Sequence, residues 1–115
     1  MKRDQAHNTR KIIRRLLSNS PLWMETDCAS QSSVSLSYQS LLNPERHIWI
    51  ETSIEMYGSL GIDIEDWNDD NNWDNSVIHL GTFDSLVLVK IARKWLGGEA
   101  LEDCYLPGSF LLDLH

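Results

Sequence analysis

From His47 to Tyr57 the chain alternates more regularly than anywhere else. Ile48, Ile50, Thr52, Ile54 and Met56 fall on one parity, and Trp49, Glu51, Ser53, Glu55 and Tyr57 on the other. Strand side chains point to opposite faces in turn, so this order gives one apolar face and one mixed face. Isoleucine suits a pleated surface better than a helix stripe. Just upstream, within Ser33–Leu42, Val34, Leu36 and Tyr38 alternate with Ser and Gln. Asn43-Pro-Glu-Arg46 between the two runs supplies turn chemistry, which predicts a hairpin. The competing reading makes Asn43 a helix cap with Pro44 at the first helical position.

Helical periods flank this hairpin. Ile12, Ile13, Leu16 and Leu17 form an apolar stripe in residues 4–17, with Arg10, Lys11, Arg14 and Arg15 beside it and Ser18–Pro21 as the stop. A second helix is expected from a cap at Thr82 or Asp84 to Leu96. Its apolar side is Val87, Leu88, Ile91, Ala92 and Trp95, its polar side Lys90, Arg93 and Lys94, and Gly97-Gly98 ends it. Leu22–Met24 reads as a patch folding back onto the core, Gly58–Gly61 as a turn, Ser76–Leu80 as a short strand, and Ser109–Leu114 as an edge strand or docking segment. The expected fold is therefore α+β: one small domain over residues 1–115, with an antiparallel sheet of three or four strands and two amphipathic helices packed on it.

Charge is distributed unevenly. Residues 1–17 hold six Lys/Arg against one Asp, whereas residues 18–84 hold one Arg against twelve Asp/Glu, and the whole chain carries −7. An acidic bulk repels phosphate and disfavours nucleic acid, and the basic first helix has no aromatic or glycine interleaving to suggest otherwise. No apolar run approaches the ~20 residues that span a bilayer, and the polar start after Met1 is not a signal peptide. A cytoplasmic, membrane-free protein is expected. Cys28 and Cys104 form no C-x-x-C pair, and whether they bridge stays open.

The most unusual chemistry lies in Asp63–Asn75, where six carboxylates, four Asn and two Trp occur in thirteen residues without a cation. Two readings stand side by side. Trp67 and Trp73 fold inward and pin a solvated loop, or they stand among carboxylates as anchors for a partner. In composition, though in no motif, the second reading resembles nuclease inhibitors such as immunity proteins. Calcium is disfavoured: Asp66, Asn68, Asp70 and Asn72 match the odd positions of an EF-hand count, but Asn71 stands where Gly is needed and Val77 where Glu is needed. The histidines have no zinc spacing. His79 with Asp63 or Asp84 is the one acid–base pairing to consider, against the plainer reading of a structural histidine.

Leu80-Gly-Thr-Phe-Asp-Ser-Leu86 and the helix after it resemble the Asp-Ser-Leu site of acyl and peptidyl carrier proteins. That resemblance implies phosphopantetheine on Ser85 within an all-helical domain. Asp-Ser at a helix start is equally ordinary capping.

These observations favour a small acidic protein-binding module of inhibitor or immunity type, without catalytic residues, metal or cofactor. Its contact surface is expected at Asp63, Glu65, Asp66, Trp67, Asp69, Asp70, Trp73 and Asp74, and its partner is expected to be another protein with a basic surface. The alternatives are a carrier-like protein modified at Ser85 and a structural subunit of a homo-oligomer.

Overall fold

The computed structural model describes residues 3–18, 20–26, 34–54, 58–67 and 76–112, and the side chains of residues 3, 4, 53 and 54 are left undescribed. Helix α1 (Arg3–Leu17) is followed by five strands: β1 (Trp23–Glu25), β2 (Ser35–Ser40), β3 (Arg46–Ile54), β4 (Ser59–Asp66) and β5 (Ser76–Thr82). Helix α2 (Ser85–Leu96), a 3-10 turn (Leu101–Cys104) and strand β6 (Ser109–Leu111) complete the described order. The architecture is α+β.

All six strands form one antiparallel sheet in sequence order, β1 to β6. This corrects the expected three or four strands. The first extra strand is the segment around Trp23, read from sequence as a patch, which pairs with β2 as an edge (Trp23 opposite Ser40). The second is β4, which takes in Ser59–Gly61 and Asp63–Asp66, read from sequence as a turn and a loop. Only Gly58 keeps the turn, at φ +63, a left-handed conformation that glycine adopts without cost.

The predicted hairpin is present, with Leu36 opposite Ile50 and Tyr38 opposite Ile48. Ile50 in turn faces Ile62, and Ile48 faces Ile64. Alternation thus stacks Leu36, Tyr38, Ile48, Ile50, Ile62, Ile64 and Leu80 on one side, where all are buried with Ile13, Leu17, Leu88 and Ile91 from the two helices. Burying a side chain of this size contributes roughly 1.5–3 kcal/mol. Both helices lie on this side. We call the other side of the sheet the far face.

The helices are fixed by polar contacts as well as by their stripes. Asp84 caps α2 by accepting from Leu86 N at 2.9 Å, which decides between the two caps that the sequence offered. Arg10 is buried and its Nε donates to Ser35 O at 2.8 Å, while Arg14 pairs with Glu25 at 2.9 Å. Arg93 Nη2 donates to Leu16 O at 2.8 Å and so ties α2 to α1. Arg46 closes the opposite end, with its guanidinium 3.8 Å over the Trp95 ring and Nη1 donating to Trp95 O and Glu99 O. Among the described residues no helix is long and apolar enough to cross a membrane.

Candidate functional site

The far face collects the polar and aromatic partners of the buried isoleucines. By alternation β3 contributes His47, Trp49 and Glu51, β4 contributes Gly61, Asp63 and Glu65, and β5 contributes His79. Cross-strand register sets Trp49 opposite Asp63, Asp63 opposite His79, and Glu51 opposite Gly61. Three hydrogen-bonded groups result.

In the first, Trp49 Nε1 donates to Glu51 Oε1 at 2.6 Å, and Ser35 Oγ donates to the same oxygen at 2.8 Å. The indole therefore lies along its own strand with the carboxylate fixed at its end. The second repeats this on β4: Trp67 Nε1 donates to Glu65 Oε1 at 2.9 Å, and His47 stacks on the Trp67 ring at 4.3 Å between centroids. Burial raises the Glu65 carboxyl above its ordinary range. The Trp67 N–H opposes that rise, and a hydrogen bond and repulsion from Asp63 add to it. Burial also lowers the His47 imidazole, with the negative Glu65 working against the shift.

The third group exists because of a bulge. Ile64 faces Ile78 but Glu65 faces Ser76, so Val77 is an extra residue in β5. Strict alternation would turn Ser76 toward the helices; the bulge brings it to the far face instead. There its hydroxyl donates to Asp63 Oδ1 in a short hydrogen bond and lies 3.1 Å from His79 Nε2. The serine proton is given to Asp63, so Nε2–H donates to Ser76 Oγ. Asp63 itself is 3.6 Å from the same nitrogen. In a Ser–His–Asp relay the imidazole stands between the other two and uses both of its nitrogens. Here Ser76 stands between His79 and Asp63, which makes an orienting network. Of the two acid–base partners proposed for His79, Asp63 is the one brought to it.

Between these groups lies a cleft of about 100 Å³ lined by Trp49, Glu51, Gly61, Ile62, Asp63, His79 and Leu112. Gly61 is its glycine lining residue. At Gly81, its partner in register, a Cβ would come within 2.6 Å of Phe110 Cε2, because the Phe110 ring already occupies that position.

The structure gathers Asp63, Glu65 and Trp67 on the far face, as the sequence grouped them. Asp66 falls on the opposite parity and pairs in register with Arg46, so it belongs to the helix side. Asp69, Asp70, Trp73 and Asp74 lie outside the described residues, as do Cys28 and the rest of the calcium count from Asn68 to Asn72. Sequence reasoning left out Trp49, Glu51 and His47, although the period of β3 had already put Trp49 and Glu51 together. Among the described residues no three His, Cys, Asp or Glu side chains are grouped to hold a metal.

Ser85 is the first residue of α2, half-buried beside its cap, and the six-stranded sheet departs from the all-helical domain that the carrier resemblance implies. Cys104 is buried and free, and burial pushes its thiol up to about 11. No family model, curated protein or solved structure matches this chain.

Proposed function

We propose that this protein is a binding module whose far sheet face receives a basic protein partner, acting as a small inhibitor or immunity-type factor. One observation carries the reading: Glu51, Asp63 and Glu65 stand on two adjacent strands with the indoles of Trp49 and Trp67, and each indole N–H holds a carboxylate in place. Side chains held on paired strands keep their geometry before a partner arrives, which lowers the ordering cost of association. Indoles among carboxylates are the anchor-and-charge combination that gives affinity and fast, salt-sensitive encounter. The sequence adds an uneven distribution of charge. The two helix sequences hold eight Lys/Arg against one Asp, leaving two Lys/Arg against sixteen Asp/Glu in the rest of the chain.

The test is a matched capture experiment with three baits at low and high salt: the unaltered chain, a far-face variant (Glu51→Gln, Glu65→Gln, Trp67→Ala) and a helix-face variant (Lys11→Gln, Lys90→Gln). A basic protein held by the first and third baits, lost by the second and released by salt supports the proposal. A partner kept by the far-face variant and lost by the helix-face variant sinks it.

A further inference from the structure

The cleft on the far face suits a particular chemical group. Three features of the cleft bear on what enters it. Gly61, which has no side chain, lines it, opposite the Gly81 position that Phe110 fills. Trp49 lines it with an indole fixed by its bond to Glu51. Glu51 supplies a carboxylate held through one oxygen only: Oε1 accepts from both Trp49 and Ser35, and Oε2 takes no hydrogen bond among the described residues. Asp63 and His79, held by Ser76, and the side chain of Leu112 also line it.

We infer that this cleft is a receptor for a single guanidinium group, the head of an arginine side chain presented by the partner. The inference rests on the reading of the far face as a binding surface and names the group that the surface selects. A volume of about 100 Å³ holds a side-chain head and not a drug-sized ligand. A flat cation is favoured over an aliphatic group because an indole and the carboxylates of Glu51 and Asp63 line the cleft together. Guanidinium is favoured over ammonium because it is planar, stacks on aromatic rings, is more weakly hydrated, and offers several N–H donors to Glu51 Oε2 and its surroundings at once. Lysine presents a compact and strongly hydrated charge that makes less use of the ring.

The test follows the Trp49 indole N–H and the Gly61 amide by NMR in the isotope-labelled full chain, using N-acetyl-arginine amide as the probe. The expected result is a saturable shift of both signals. N-acetyl-lysine amide should bind about fivefold or more weakly, and Glu51→Gln should weaken the arginine probe by a similar factor. Glutamine keeps an oxygen for the Trp49 and Ser35 bonds, so an unchanged amide spectrum certifies the fold of that variant. Gly61→Ala, which adds a methyl group at a cleft-lining position, should also reduce binding. A short arginine-containing peptide compared with the free probe separates a preference for a presented side chain from one for the small molecule. Shifts that leave Trp49 and Gly61 unmoved, or that are the same in Glu51→Gln, overturn the inference. The probe needs no partner protein, so a failed capture with an intact titration counts against the surface reading alone. The reverse pattern counts against the cleft alone.

Discussion

The His47 imidazole lies flat on the Trp67 indole, centroids 4.3 Å apart, at the end of the strand pair that also holds Glu65. Burial lowers the affinity of the ring for a proton, and the Glu65 charge restores part of it. Replacing Glu65 by Gln removes that help, so His47 should titrate lower still in the variant, as ring-proton shifts would reveal. The sign for stability follows from linkage. A depressed histidine contributes stability above its unfolded value, near 6.5, which is lost as pH falls through the folded value. Mild acid should therefore destabilise the unaltered chain through His47. An unchanged His47 titration in Glu65→Gln would contradict the coupling.

Glu65 itself works in the opposite sense. Its raised carboxyl means that the folded state keeps the proton longer, so its contribution is present at acid pH and is lost as pH rises through the folded value. At neutral pH Glu65→Gln should stabilise the fold slightly, by up to about 1 kcal/mol, since Gln still accepts from Trp67. Urea unfolding at pH 7 measures this, and a clear loss of stability would show that the negative charge is favourable where it sits.

Arg46 ties the sheet to the end of α2 through one ring contact and two carbonyls. Arg46→Ala should cost about 1–3 kcal/mol, and Arg46→Lys should recover only part of it, because an ammonium cannot cover the Trp95 ring and reach both acceptors as a planar fork does. Denaturant midpoints for the two variants decide the point. An Arg46→Lys midpoint equal to that of the unaltered chain would mean that charge alone accounts for the contribution.

Gly81 is a packing glycine. A methyl there would meet Phe110 Cε2 at 2.6 Å and Leu112 Cγ at 2.9 Å, so Gly81→Ala should push β6 from the sheet and cost about 1–3 kcal/mol. Hydrogen exchange should accelerate at the Leu112 amide, which donates to His79 O. Protection there at the unaltered level would show that Phe110 simply swings aside.

The capping role of Asp84 separates two meanings of the Asp-Ser-Leu stretch. Asp84→Ala removes the acceptor for Leu86 N and should cost about 1 kcal/mol, and Asp84→Asn much less. Intact-mass measurement of the chain purified from its host tests Ser85 directly. An unmodified Ser85 together with the stability loss makes the motif a helix start and nothing more.

Where side-chain period and burial agreed, the fold was legible. Ile48 and Ile50 of β3, the stripe of α2 and the Gly97 stop stand where hydrophobic spacing puts them, whereas the buried side of α1 is rotated from the expected stripe: Ala6, Arg10, Ile13 and Leu17 are buried and Ile12 is exposed. The misreadings have local causes. Gly58 and Gly61 punctuate like a turn, yet Gly61 is a strand residue that lines the far-face cleft. Ile62-Asp63-Ile64-Glu65 has the same alternation as β3, but the carboxylates drew it into the acidic stretch that follows. The far face was only half legible, because Trp49 and Glu51 belong to it through register with Asp63 and Gly61, and register is a property of two strands. The bulge that turns Ser76 has no single-sequence signal.

The strict neighbour-to-neighbour order of the sheet also has a consequence for how the chain is made. From β1 to β5 each strand pairs with the next in sequence, so these hairpins can zip in the order in which they leave the ribosome, whereas β6 reaches β5 only after α2. The layer that shields them comes late. Ile50, Ile62 and Leu80 pack against Leu88 and Ile91, which follow five strands in the sequence. Once β5 has emerged and α2 has not, the chain holds five of the six described strands with an apolar side covered by α1 alone. That translation intermediate is the species for a chaperone to hold, and its lifetime is set by the distance from β5 to the end of α2.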